Sequence, residues 1–445
     1  MKPALLGVAI VAALGGLLFG FDTAVISGTT DWLTRQFGLT DFTLGFTVAS
    51  ALIGTMVGSI AVGRPADIFG RRAILFVLAI FYFLSALGCA MAWDWWTFTM
   101  FRFLGGLAVG GTSVVSPMYI AEISPAKYRG RLVAITQFNV VLGILLAYCS
   151  NYLISSLAGT LLGDAQYRWM FGVQAVPAAV FFCLLFFTPQ SPRWLLAKQR
   201  VDEARSVLTK YGSDLDNLEE EIKDIQASLD LVHHTLREPF YCRKYRKPIL
   251  LAVVIAAFNQ LSGINAVLYY TPKIFKMAGA GVESALLQSM IIGFTMLVFT
   301  VAAMVIIDRV GRRKLMLLGS IGYLLGLAGV TYAFYVGGEG SLLLASLLVF
   351  TAAHGFGQGA VVWVFISEIF PNRVRARGQA LGSFTVWVVN AAISWTFPMI
   401  AASAGWMAFA FYALCMAVQL IWVITIMPET KGISLEQIQK KLGIE

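Results

Sequence analysis

The sequence predicts an all-α polytopic membrane protein: twelve transmembrane helices in two six-helix halves, with a helical linker between them. Three observations carry this. Hydrophobic residues make up 58% of the 445 residues and charged residues only 13%, with a mean hydropathy of +0.76, whereas a soluble domain is about a quarter charged. Twelve apolar runs are long enough to cross a bilayer. Three short motifs recur at a nearly constant offset along the chain.

The apolar runs cover residues 4–28, 43–63, 73–92, 97–119, 132–154, 169–188, 249–272, 286–307, 315–336, 342–366, 379–402 and 406–427. The short alternating segments of an outer-membrane barrel are absent. Twelve crossings return both termini to one side. The loops around 64–72, 127–131, 193–247, 309–314 and 373–377, with the two termini, hold 28 of the 33 Lys and Arg. The alternate loops hold only Arg35, Arg168, Lys273 and Lys276. Positive charge stays inside, so both termini and the central loop are expected in the cytoplasm. The net charge of +9 is accounted for by topology, and no nucleic-acid partner is expected. The opening MKPALLGVAI has the look of a signal peptide. It lacks an A-x-A-like site and runs on through FGFD, so it is expected to stay as the first span.

The repeat comes next. ADIFGRRA (66–73) recurs as IDRVGRRK (307–314), an offset of 241 residues. AEISPAKYRGR (121–131) recurs as SEIFPNRVRARG (367–378), offset 246, and PQSPRWL (189–195) matches PETKG (428–432), offset 239. One duplication of six spans is the simple reading, the construction of transporters with a central site. The expected divisions are an N-terminal half over 1–195, a cytoplasmic helical linker over 196–247, a C-terminal half over 248–430 and a short tail over 431–445. In the linker, Leu215, Leu218, Ile222, Ile225, Leu229 and Val232 form a stripe at three- and four-residue spacing, an amphipathic helix. The five cysteines (89, 149, 183, 242 and 415) include no C-x-x-C pair. They read as packing residues, neither disulfides nor metal ligands, and no metal or cofactor is expected.

With these motifs in view, the chain resembles the major facilitator superfamily, and within it the sugar porter family. FRFLGGLAVGG, SPMYIAEISPAKYRGRL, PQSPRWLL, QLSGINAVLYY, SEIFPNRVRARG and PETKG follow in family order, from GGLLFGFD near the start to PETKGISLEQI near the end. The resemblance implies a proton-coupled bacterial monosaccharide symporter in the cell inner membrane, working by alternating access as a monomer. The short termini and the lack of N-x-S/T sequons agree.

Charged residues cluster at the ends of spans two, four, eight and ten: Asp67, Arg71 and Arg72; Glu122, Arg129 and Arg131; Asp308 and Arg312; Glu368, Arg375 and Arg377. In the family such clusters latch the inner side and break when it opens. Exposed ion pairs are worth only about 0–1 kcal/mol, which suits a latch. Topology-setting charge is the other reading of the arginines. It does not cover Glu122 and Glu368, because acidic residues contribute little to topology. Ile68 stands where the family usually has arginine.

Within the apolar runs there is one carboxylate, Asp22, and one fixed cation, Arg102. Such residues in a bilayer mark function by default. Asp22 lies about six residues from the end of its span and Arg102 about five into its own, so at 1.5 Å per residue both sit roughly 8–9 Å below the outer boundary. Equal depth permits contact. A static pair and a proton-coupling pair both fit. The resemblance favours coupling, because proton-linked bacterial relatives have this Asp and Arg at matching places and uniporters often carry a neutral residue at the former.

A sugar offers hydroxyls around an apolar ring, so its site needs amides and aromatic faces. Candidates in the apolar runs are Gln137, Asn259, Gln260, Asn265, Tyr269, Trp363, Trp387 and Asn390. Gln260 and Asn265 flank Gly263, and a broken helix there would aim both at one cavity. Interhelical glue is the other reading of each amide. By resemblance Gln137, Gln260, Asn265, Trp363 and Trp387 match sugar-binding positions, with Gly359 beside the pocket and Phe21 near it. Asn259, Met296, His354 and Val386 depart from the family's usual glutamine, asparagine, aromatic and polar residues. His354 is left with three roles: sugar contact, proton movement or packing. A facilitative uniporter and a transporter-like sugar sensor are the rival functions; the tail ends soon after PETKG, unlike long-tailed sensors. An enzyme is not expected: no nucleophile–base arrangement is visible, and the adjacent His233 and His234 lie in the linker.

Overall fold

The computed structural model describes all residues except 1, 212–217, 236–238, 338–339, 372–373, 432–436, 439–443 and 445, and leaves out the side chains of 126, 158–160, 221, 228–235 and 376. Helices dominate, and no strand occurs among the described residues. Twelve helical segments are long and apolar enough to span a bilayer: Pro3–Gly28, Asp41–Ala61, Arg71–Met91, Trp95–Ile123, Lys127–Leu157, Gly163–Leu185, Arg243–Met277, Val282–Val310, Arg312–Tyr335, Gly340–Ile369, Arg377–Ser403 and Gly405–Thr425. They are called spans one to twelve below.

Several spans outrun their apolar stretches. The helix carrying span five runs 37 residues, Ala126–Leu162, about 55 Å at 1.5 Å per residue against a hydrocarbon core of about 30 Å. Apolar sequence marks the part in lipid, whereas backbone hydrogen bonding carries the helix on. The motif carboxylates Glu122, Asp308 and Glu368 therefore ride on the helix ends. Span four starts at a side-chain cap: Asp94 accepts from the Thr97 N–H at 2.7 Å and the Thr97 hydroxyl at 3.0 Å. These bonds hold the Asp94 carboxyl below its ordinary pKa.

Three spans are discontinuous. Span six breaks between Gly172 and Ala175. Span seven divides into Arg246–Leu261 and Ile264–Met277, with Gly263 at φ +80° in the left-handed region. A Cβ there would also fall 2.3 Å from the Tyr412 ring, so only glycine fits. The break expected from the Gly263 position is present. Span ten divides at Gly357 into Gly340–Phe356 and Gln358–Ile369.

The chain packs as two units. The first comprises Met1–Asp22, Gly54–Ile144 and Phe171–Glu238. Its core joins Ala9, Ala12 and Ala13 of span one to Leu75 and Tyr82 of span three, Ala108 and Tyr119 of span four and Phe181 of span six. In the linker, Leu218 and Ile222 are buried against Trp194, Leu195, Leu196, Ala204 and Leu208, with Ile225 beside them. This is the inward face of the expected stripe. Leu215 and the side chains of Leu229, Val232, His233 and His234 lie outside the described residues. The second unit comprises Thr23–Ile53, Leu145–Met170 and Pro239–Glu445. In it Phe334 of span nine stacks on Phe409 of span twelve at 5.5 Å. All five cysteines are free; Cys89 is buried, but Cys183 is exposed on span six and is not a packing residue.

Candidate proton and substrate sites

In the first unit the two lone charges meet. Arg102 donates from Nη1 to Asp22 Oδ1 at 2.9 Å. Asp22 is 3% exposed and Arg102 2%, so the pair is dry. The same Asp22 oxygen accepts from Gln174 Nε2 at 3.3 Å, and the Arg102 guanidinium lies 5.6 Å from the Phe171 ring centre. Gln174 and Phe171 flank the break in span six. The depth argument from the sequence holds for Asp22 and Arg102; Gln174 was missed. Its signal was available, an amide inside an apolar run, but its partner is set by the break and not by spacing.

The second unit holds the amides, in one chain. Asn265 Nδ2 donates to Gln260 Oε1 at 2.6 Å, Gln260 Nε2 to Asn259 Oδ1 at 2.8 Å, and Asn259 Nδ2 to Gln358 Oε1 at 3.3 Å. Gln358 Nε2 then donates to Gln419 Oε1, and Gln419 Nε2 to Ser320 Oγ at 2.9 Å. Tyr323 joins from the side: its hydroxyl donates to Gln358 Oε1 at 3.2 Å and lies 2.5 Å from His354 Nδ1. Gly359 sits against the His354 ring, where a Cβ would be 3.3 Å from Nε2. Gln358, Gln419, Ser320 and Tyr323 were not singled out from the sequence. A separate set joins Asn390 Nδ2 to the Tyr269 hydroxyl at 3.4 Å and Ser394 to Asn390 Oδ1 at 2.9 Å. Met296, Trp387 and Val386 are buried, whereas Trp363 is 39% exposed. Gln137, half-buried, and Phe21, buried, belong to the first unit.

The charged motifs are built twice. In the first unit Arg71 bonds Glu122 at 3.0 Å and Asp67 at 3.1 Å, and Ser191 donates to Glu122 at 2.5 Å. In the second unit Arg312 bonds Glu368 at 2.7 Å and Asp308 at 3.1 Å, and Thr430 donates to Glu368 at 2.6 Å. The neighbouring arginines do something else. Arg72 donates to the carbonyls of Leu185 and Phe186 at the end of span six. Arg313 does the same for Val423 and Ile424 at the end of span twelve. Arg72 therefore caps a helix end and does not join the carboxylate cluster; successive helix residues point about 100° apart. Arg129 also departs from the expected cluster: it is exposed and reaches the Ser124 carbonyl at 3.5 Å. Arg375 is half-buried; burial pushes its guanidinium pKa down and the Glu368 charge opposes that.

Behind each cluster a glycine starts the next span, Gly70 at φ +89° and Gly311 at φ +99°, a region open only to glycine. Glu429 closes the second joint: its carboxylate accepts the N–H groups of Arg312 at 3.0 Å and Arg313 at 3.1 Å. Burial alone would raise the Glu429 pKa. The backbone N–H groups of Lys431, Arg312, Arg313 and Thr430 outweigh it and hold the carboxyl below its ordinary value. At the far end of the second unit, two of the four basic residues of the alternate loops are paired: Lys276 with Asp31 at 2.5 Å and Lys273 with Asp41 at 3.7 Å. Neither aspartate was singled out from the sequence.

Twelve spans with broken helices, a dry charge pair and a chain of linked amides describe a multi-pass membrane protein, and its relatives make it a transporter, not an enzyme. The chain belongs to the sugar (and other) transporter family, whose model matches residues 8–442. It is 37% identical over 467 residues to the D-xylose-proton symporter of Escherichia coli K12, covering 97% of this chain and 94% of that protein. It is 36% identical over 439 residues to the arabinose-proton symporter of Bacillus subtilis, covering 97% and 94%. Among solved structures, the partially occluded inward open conformation of the xylose transporter XylE from E. coli matches with a TM-score of 0.86 at 35% identity. That match covers 97% of this chain and all of the other. With such relatives the chain is a multi-pass inner-membrane protein of the major facilitator fold.

Proposed function

We propose that this protein imports a monosaccharide, a pentose or hexose, together with a proton by alternating access. The observation that carries the reading is the dry Asp22–Arg102–Gln174 cluster. Asp22 is the one carboxylate in the apolar runs, and it meets the one fixed cation there. When the arginine shifts, Asp22 takes a proton; when it returns, the proton leaves. In the second unit the sugar lies against Gln260, Asn265, Asn259, Tyr269, His354, Trp363, Trp387 and Asn390, with Gly359 leaving room and Met296 at the wall; in the first unit Gln137 and Phe21 are the sugar-binding candidates. Amides that both donate and accept suit a ring of hydroxyls.

The paired Arg71–Glu122 and Arg312–Glu368 clusters serve as the inner latches, with Asp67, Asp308 and Arg375 at their edges. The distribution of Lys and Arg supports both termini and the 196–247 linker in the cytoplasm, with halves 1–195 and 248–430 rocking about the site as a monomer. The sugar-proton symporters among its relatives support the coupling. The test is uptake of labelled D-xylose, L-arabinose and D-glucose into energised membrane vesicles. A symporter accumulates its sugar, alkalinises the medium as it does so, and loses accumulation with a protonophore. Equilibration without proton movement would assign a uniporter instead, and binding without flux a sensor.

A further inference from the structure

We propose that the amides facing the sugar carry a fixed donor–acceptor direction, set from Ser320 through Gln419 and Gln358. The proposal rests on the sugar site proposed above. A side-chain amide has an oxygen that accepts and an NH2 that donates, and the two ends have nearly the same shape. An isolated amide can therefore turn over at little cost. Asn265, Gln260, Asn259, Gln358 and Gln419 are linked head to tail, every NH2 pointing to the next oxygen. They can turn over only together.

Ser320 stops that. Its hydroxyl donates to the Met316 carbonyl at 2.7 Å, so its oxygen offers only lone pairs to Gln419 Nε2 at 2.9 Å. A second lock sits midway. The Tyr323 hydroxyl donates to Gln358 Oε1, which an NH2 in that place could not accept. In this arrangement His354 donates from Nδ1 to the Tyr323 oxygen, so its Nε2 is left as the other ring nitrogen beside Gly359. Ser320, Tyr323, Gln358 and Gln419 are at most 1% exposed. They are positioning residues, which act on the sugar through Asn259 and His354.

The direction has a consequence at the open end. Asn265 spends an N–H on Gln260, so its Oδ1 faces the site as an acceptor. Gln260 keeps one further N–H as a donor. The sugar hydroxyl against Asn265 Oδ1 must therefore donate, and the ring is read by hydrogen-bond sense as well as by position.

The experiment measures equilibrium binding to the purified protein in detergent, using the parent sugar with its monodeoxy and monofluoro analogues, for D-xylose and D-glucose. Fluorine accepts but cannot donate. In the wild type, at one ring position, the fluoro and deoxy analogues are expected to lose affinity equally, by about tenfold. The double variant Ser320→Ala/Tyr323→Phe removes both side-chain locks, Asn265 can then present its NH2, and the fluoro analogue is expected to regain several-fold over the deoxy one. Either substitution alone leaves one lock in place and is expected to keep the wild-type pattern. Gln358→Leu cuts Asn259 off from both locks and from the Phe258 carbonyl that Gln358 Nε2 also meets at 3.5 Å, and provides the same readout should the double variant fail to reach the membrane. Unchanged fluoro-to-deoxy ratios in the double variant and in Gln358→Leu, or equal weakening of every analogue, would overturn the proposal while leaving the transport reading intact. A wild-type protein that binds no sugar of the panel would overturn both.

Discussion

On the proposed reading, Asp22→Asn removes the proton site and little else. The amide oxygen of asparagine can still accept from Arg102, 2.9 Å away, and from Gln174 at 3.3 Å. What is lost is the charge that balances a guanidinium only 2% exposed. Removing one partner of a buried pair costs about 3–5 kcal/mol when nothing replaces it. The retained hydrogen bonds and the Phe171 ring 5.6 Å away keep the loss toward the lower end, so the variant is expected to fold. The functional effect is larger. One proton driven by 100 mV supplies about 2.3 kcal/mol, enough for roughly fifty-fold accumulation at about 1.4 kcal/mol per tenfold. Asparagine cannot carry that proton. In proteoliposomes with an imposed potential, accumulation is expected to fall from as much as about fifty-fold to unity, while sugar counterflow, which needs no net proton movement, continues. Accumulation that survives in Asp22→Asn would refute the coupling role. Loss of counterflow in a folded variant would show that the pair serves the rocking motion itself.

Three further outcomes are expected. Gln260→Ala opens the amide chain between Asn265 and Asn259 and should weaken sugar binding about tenfold or more, whereas Gln199→Ala in the linker should leave binding unchanged in the same titration. Gln199 holds φ +62° at a helix end, so Gln199→Gly should stabilise the detergent-solubilised protein by up to about 1 kcal/mol, read as a raised thermal midpoint. Glu429→Ala removes an N-terminal cap from span nine and should cost about 1 kcal/mol. Because the folded carboxyl is held below its ordinary pKa, the Glu429 contribution is fully present above about pH 4.3 and is lost as pH falls through the folded value. The wild type and Glu429→Ala should therefore converge in thermal midpoint under acid and differ at neutral pH.

The spans and their number were legible because lipid imposes one rule along the whole chain: about twenty apolar residues per crossing. The repeat was legible because GRR, E-I-x-P and the segments after spans six and twelve carry their motifs in the same order. The Asp22–Arg102 contact was legible because counting residues from a span end measures depth. Rotation about the helix axis is what counting leaves out. Arg71 and Arg72 are adjacent, yet one meets Glu122 and the other the carbonyls of span six. Gln358 stands in a small-residue stretch with no marked spacing, and its role comes from two breaks, at Gly263 and Gly357, that bring the pieces of spans seven and ten together. Asp31 and Asp41 are loop acids by sequence and ion-pair partners only once span seven has been placed beside them.

The two glycine joints were cut from one template but are not the same part. Gln190 stands by Gly70 where Glu429 stands by Gly311; a Cβ on the glycine would lie 2.9 Å from the amide oxygen in one and 2.8 Å from the carboxylate in the other. At the first joint Gln190 Oε1 accepts no hydrogen bond among the described residues and takes no part in a clasp. The second is a titratable clasp whose grip depends on the proton concentration of the compartment it faces. Of these two joints, then, only the one that opens span nine rests on a carboxylate that takes up backbone N–H groups, and only there does acid reach the fastening itself.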